Sequence, residues 1–123
     1  FFIGIPFIIT NYRKGVFFAI SRDRLGAVRL VRQPSRSQEI IKKLKVPVLI
    51  LQGDKDMQVS VKDAELLKQA QPSADYHLIG NMNHLMKTCD TMDQQRQMAT
   101  YTDPALPLHK DVLILIEKFV SKP

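Results

Sequence analysis

Tryptophan is absent, cysteine occurs once, and only five glycines and seven prolines stand among 123 residues. Each scarcity excludes a class. With Cys89 alone no internal disulfide can form, so the chain is not a small bridge-stapled scaffold. A lone thiol accords with a reducing compartment, and the cytoplasm is the expected location. Low glycine and proline exclude collagen-like and Gly/Pro-rich disordered chains. No apolar run approaches the roughly 20 residues that a membrane-spanning helix needs. The greasiest stretch, FFIGIPFIIT, covers residues 1–10 and is cut off from VFFAI by the polar Asn11 to Lys14. It has neither a basic leader nor a small-residue cleavage site, which argues against a signal peptide. No membrane association is therefore expected. The first residue is Phe1 rather than Met, the expectation for a processed or truncated chain. His77, His84 and Cys89 match no compact zinc spacing, so neither a metal nor a cofactor is expected.

What is present suits one globular unit: 45% hydrophobic residues in a chain long enough to bury a core. Eighteen basic residues outnumber twelve acidic ones, for a formal charge of +6. The excess falls early, at Arg22, Arg24, Arg29, Arg32, Arg36, Lys42, Lys43 and Lys45. No aromatic residue is interleaved with it and no nucleic-acid-binding motif carries it, so a solvated basic face is expected and a nucleic-acid partner is not. Composition shifts near residue 38. Residues 1–37 read as a poorly defined apolar and basic segment, a possible remnant of a cap or core, and residues 38–123 as the patterned part.

Residues 1–10 and 16–20 read as short buried strands or an apolar helical stretch. Ser37 is a plausible cap for QEIIKKLK, in which Ile40, Ile41 and Leu44 share a face. Val46-Pro47 ends that helix, and Val48 to Leu51 follow as a strand apolar on both faces, the pattern of a parallel sheet interior. Ser60 and Asp63 form a capping box opening VKDAELLKQAQ, with Ala64, Leu67 and Ala70 inward and Pro72 as the stop. DYHLI at 75–79 reads as a second strand and Gly80 to Asn83 as a turn. A long loop leads to an amphipathic helix over 110–121, with Val112, Leu113, Ile116, Phe119 and Val120 inward. Helix, strand, helix, strand, loop, helix is the alternation of a parallel α/β arrangement.

In such sheets chemistry lies beyond the carboxyl ends of the strands. The turn after Leu51 runs Gly53-Asp54-Lys55-Asp56-Met57-Gln58-Val59, and that after Ile79 contains Met82-Asn83-His84-Leu85-Met86-Lys87. If the strands are neighbours, Asp56 and His84, 28 positions apart, meet at one edge. A carboxylate placed to orient an imidazole is the acid–base half of a hydrolytic triad. Taken alone, Asp56 also suits a turn aspartate that binds local backbone groups, and His84 a histidine satisfied within its loop. His77, inside a strand, is expected to be structural, and His109, before a helix, to lie at the surface. Met57, Met82, Met86, Met92 and Met98 suit either core filling or the wall of an apolar pocket, and the first three flank the pair.

PVLILQGDKDMQV together with MNHLMK resembles the C-terminal part of the α/β-hydrolase superfamily, of the serine hydrolase or esterase-like kind. There a G-x-x-D-x-x-V turn follows a late strand and the histidine follows the last one. The resemblance assigns Gly53, Asp56 and Val59 to that turn, with Asp56 as triad acid, His84 as triad base and Asp54 as a turn charge. ATYTDPALPL at 99–108 and the closing helix also resemble a bacterial branch of these enzymes, so the similarity covers residues 38–123. It implies a partial α/β-hydrolase fold, parallel strands with flanking helices, and a small ester or acyl substrate. One part is missing. The family's nucleophile elbow, G-x-S-x-G, is nowhere in the sequence. Ser21, Ser35, Ser37, Ser60, Ser73 and Ser121 all lack the flanking glycines, and Cys89 lacks a strand-to-helix elbow. No nucleophile is therefore assigned, and the chain alone is expected to be inactive. Two expectations stay open: the C-terminal portion of a serine hydrolase, or a catalytically inactive binding or structural module on the same scaffold. Two parallel strands leave edges exposed, so self-association through them is expected in the second case.

Overall fold

The β-branched run after Pro47 forms β3, Val48–Gly53, and all six of its residues are buried. It is the centre of a computed structural model that describes residues 7–12, 15–19, 38–39, 41–45 and 47–121. The other strands are β1 (Phe7–Tyr12), β2 (Gly15–Ala19) and β4 (Asp75–Ile79). The helices are α1 (Val61–Ala70), α2 (Gln94–Thr102) and α3 (Lys110–Val120).

Alternation along β3 builds two cores. Leu49 and Leu51 face one way and join Ile79, Met82, Val112 and Phe119, with α3 covering that side. Val48 and Ile50 face the other way and join Ile41, Ala64, Leu67 and Ala74 beneath α1. Burying each such aliphatic side chain contributes roughly 1.5–3 kcal/mol, which is why a two-faced apolar strand settles between two helices. The start of α1 is set by Ser60, whose Oγ accepts from Asp63 N at 3.2 Å and donates to its carboxylate at 2.8 Å, the expected capping box.

β3 and β4 pair in parallel, from Leu49 opposite Asp75 to Gly53 opposite Ile79, and α1 lies between them in the chain. This is the expected α/β unit, parallel strands flanked by helices. On its other side the sheet continues in the order β2-β1-β3-β4, and β1 runs antiparallel to both neighbours. The first segment thus adds a hairpin to the sheet, and only the β3–β4 pair carries the parallel geometry. Ser37, Ile40 and Arg22 to Arg36 lie outside the described residues.

Two expectations change. The loop after β4 contains α2, and Leu113 points outward at 60% exposure while Val112 and Phe119 face the core. The run Val112 to Ile116 is apolar at every position, so the sequence alone leaves the buried face undetermined; packing on Leu49 and Leu51 selects it. No helix among the described residues is long and apolar enough to cross a membrane.

Candidate active site

Because β3 and β4 are adjacent and parallel, both turns that follow them lie at one edge of the sheet. The two turns are sewn together by backbone. Asp54 N donates to Ile79 O and Lys55 N to Met82 O, each at 3.0 Å. Asp54 Oδ1 accepts from Asn81 N at 2.7 Å, so this aspartate staples one turn to the other. Gly53 permits the approach: a Cβ there would collide with the Met82 carbonyl and lie 2.6 Å from its carbon. The glycine is required by what passes over it.

Asp56 then has its two carboxylate oxygens in separate uses. Oδ1 accepts from Gln58 N at 2.8 Å and Val59 N at 2.9 Å, closing the turn, while Oδ2 lies 2.8 Å from His84 Nδ1. Both side chains are 4% exposed. A carboxylate only accepts, so opposite one it is Nδ1 that donates, and Nε2 is the ring nitrogen on the far side from Asp56. Buried from water, such a hydrogen bond to a charged group is stronger than a neutral one.

The residues on either side of the pair are held as tightly. Asn83, fully buried, accepts at Oδ1 from Leu85 N and Lys87 N, both at 3.1 Å, and shapes the histidine loop. Two residues there, Asn81 and Met86, adopt left-handed backbone with φ of 53° and 59°. Asparagine tolerates that conformation; Met86 is held in it by His109 N, which donates to its carbonyl at 2.6 Å. Under the acid turn, Gln52 Nε2 donates to Gly53 O at 3.0 Å and Val59 O at 2.9 Å. Tyr101, whose hydroxyl accepts from Gln58 Nε2 at 2.5 Å, has its pKa raised by burial above all and further by the nearby Asp56 carboxylate, the Gln58 bond acting in the opposite direction. It stays a neutral phenol.

Of the residues singled out by sequence, Asp56 and His84 are brought together, and Gly53 and Val59 stand in the acid turn as expected. His77 is exposed on β4. His109 corrects the surface expectation: it is 6% exposed and its Nδ1 accepts from Asp111 N at 3.2 Å, capping α3. Cys89 is buried, its thiol donating to Thr91 O at 3.5 Å. Met82 belongs to the core, Met86 packs against it, and Met57, Met92 and Met98 are exposed, so these three do not fill a core. Among the serines, Ser73 donates to Gln71 and Ser121 to Glu117, while Ser60 caps α1. Among the described residues no three His, Cys, Asp or Glu side chains could hold a metal ion. Sequence reasoning missed Gln52, Asn83 and Gln97, which are buried, and the half-buried Lys87; an apolar pattern assigns no burial to polar side chains. In comparisons with known proteins, no family model, curated protein or solved structure matches the chain.

Proposed function

We propose that this chain supplies the acid and the base of a serine hydrolase of the α/β-hydrolase type, acting on a carboxylic ester or related acyl substrate. The reading is carried by one observation: a buried carboxylate–imidazole hydrogen bond of 2.8 Å, formed by the turns that follow two adjacent parallel strands. In this role Asp56 holds the imidazole tautomer and stabilises the imidazolium, and His84 Nε2 takes the proton of the attacking hydroxyl and later returns it to the leaving group. The hydroxyl comes from a nucleophile elbow on residues other than these 123. Acid and base without that group do not perform acyl transfer.

The absence of G-x-S-x-G favours a second reading, an inactive binding or structural module. A serine-directed fluorophosphonate and an aryl ester separate the two. The chain alone is expected to be neither labelled nor active. Joined to its natural upstream coding segment, it is expected to be labelled at a serine of that segment and to hydrolyse the ester, with His84→Ala abolishing turnover. Labelling of a serine among these 123 residues, or turnover indifferent to His84→Ala, refutes the assignment. A joined protein that folds but is neither labelled nor active supports the module.

A further inference from the structure

We propose that α2 is a polar clasp across the two turns of the site, and that Gln97 is a positioning residue for the Asp56–His84 pair. A helix normally docks through an apolar stripe, and α2 has none: its one buried residue is Gln97, at 1% exposure. Its attachment is made of hydrogen bonds to residues flanking the dyad. Gln97 Nε2 donates to the carbonyl of Lys55, directly before Asp56, at 2.5 Å, and to Thr91 O at 2.8 Å. Gln58, two residues after Asp56, donates to Tyr101. From the other turn, Asn83 Nδ2, directly before His84, donates to Thr100 Oγ1 at 2.7 Å. Lys87 Nζ donates to Thr100 O at 2.9 Å and Asp103 O at 2.8 Å, placing its charge on the carbonyl end of the helix. Positions 97, 100 and 101 share one face by helical spacing, so a single surface grips both turns.

Gln97 also bears a cost that shows which of its atoms matter. Its Oε1 is buried without a hydrogen-bond partner among the described residues, a penalty that leucine would avoid at similar size. What the position retains is therefore the pair of N–H donors, one of them on the residue next to Asp56. Held this way, Oδ2 and Nδ1 cannot drift apart while each turn stays folded. The value of that constraint to catalysis rests on the hydrolase reading above; the clasp itself is testable without activity.

The measurement is the exchange rate of the His84 Nδ1 proton, read by proton–nitrogen NMR on the intact chain. In Gln97→Leu and Thr100→Val exchange is expected to accelerate about tenfold, as loss of one or two net hydrogen bonds implies, with amide protection in β3 and β4 unchanged. Arg96→Ala, on the same helix but in an exposed ion pair with Asp90, is expected to leave it unchanged. Should Gln97→Leu not fold, Thr100→Val tests the same clasp from the histidine side. Exchange within about twofold of the parent in the folded clasp variants, or an equal response to Arg96→Ala, overturns the proposal. Neither result bears on ester hydrolysis, so the clasp and the acyl-transfer reading fail separately.

Discussion

Replacing Gly53 by alanine adds one methyl group where the backbone of the neighbouring turn already lies. The new Cβ would stand 2.6 Å from the Met82 carbonyl carbon and 3.1 Å from Met82 Cβ, with the carbonyl oxygen closer still. Ordinary carbon contacts begin near ~3.5 Å, so the two turns must part by about 1 Å. Neither side yields easily, because the obstacle is backbone. Parting also stretches Lys55 N to Met82 O and Asp54 N to Ile79 O, both now 3.0 Å. Overpacking costs about 1–3 kcal/mol and each weakened hydrogen bond about 1 kcal/mol, so the loss is about 3–5 kcal/mol. The reduced chain entropy of alanine offsets less than about 1 kcal/mol of this. Small domains hold about 5–15 kcal/mol in total, so the variant sits near the edge of folding. Urea denaturation followed by circular dichroism measures it: a midpoint lowered by on the order of 2 M with unchanged slope is expected. Gly80→Ala is the control, since nothing lies within 4 Å of a Cβ there. A Gly53→Ala variant within about 0.5 kcal/mol of the parent would refute the claim that close approach, rather than turn flexibility, demands this glycine.

Asp56→Asn keeps the shape of the acid but lets its amide nitrogen donate to His84 Nδ1, so nitrogen NMR should show the imidazole proton moved from Nδ1 to Nε2; an unmoved proton would dissociate Asp56 from tautomer control. In an enzyme completed by an upstream segment, the same variant is expected to lower turnover by roughly 10⁴-fold. Tyr101 gives a pH prediction. Its pKa is raised above the ordinary 10.0, first by burial, so its contribution to stability is complete below pH 10.0 and is lost as pH rises through the higher folded value. Tyr101→Phe should therefore resist alkaline unfolding better than the parent, as followed by tyrosinate absorbance and circular dichroism together. An identical alkaline midpoint would show that Tyr101 is not perturbed.

The parts of the molecule that were legible in sequence are those where hydrophobic pattern and chemistry coincide. Val48 to Leu51 announces a two-faced buried strand, Ser60 and Asp63 announce a helix start, and the placement of Asp56 and His84 after successive strands brings them together. Helix α2 was not legible because QQRQMATYT has no apolar periodicity to read; it is held by amides and a lysine on distant turns. His109 misled because histidine is an uncommon cap, and its burial follows from the meeting of the α3 start with Met86. Gly53 was recognisable as a turn glycine, but the object that would strike a side chain, Met82, comes from 29 positions further along the chain. Strand order brings the two turns together but does not say which backbone atom of one lies over which residue of the other.

Under the proposed hydrolase reading, the division of labour within the Asp56 carboxylate bears on how such a chain would age if catalysis were abandoned. Oδ1 closes the turn for Gln58 and Val59, a service the fold needs whether or not any substrate is processed. Nothing in the turn's own closure asks for an imidazole opposite. In a lineage that had abandoned hydrolysis, drift should therefore reach position 84 well before position 56. An aspartate surviving there would testify to architecture alone, and the hydrolase proposal would rest on the histidine beside it.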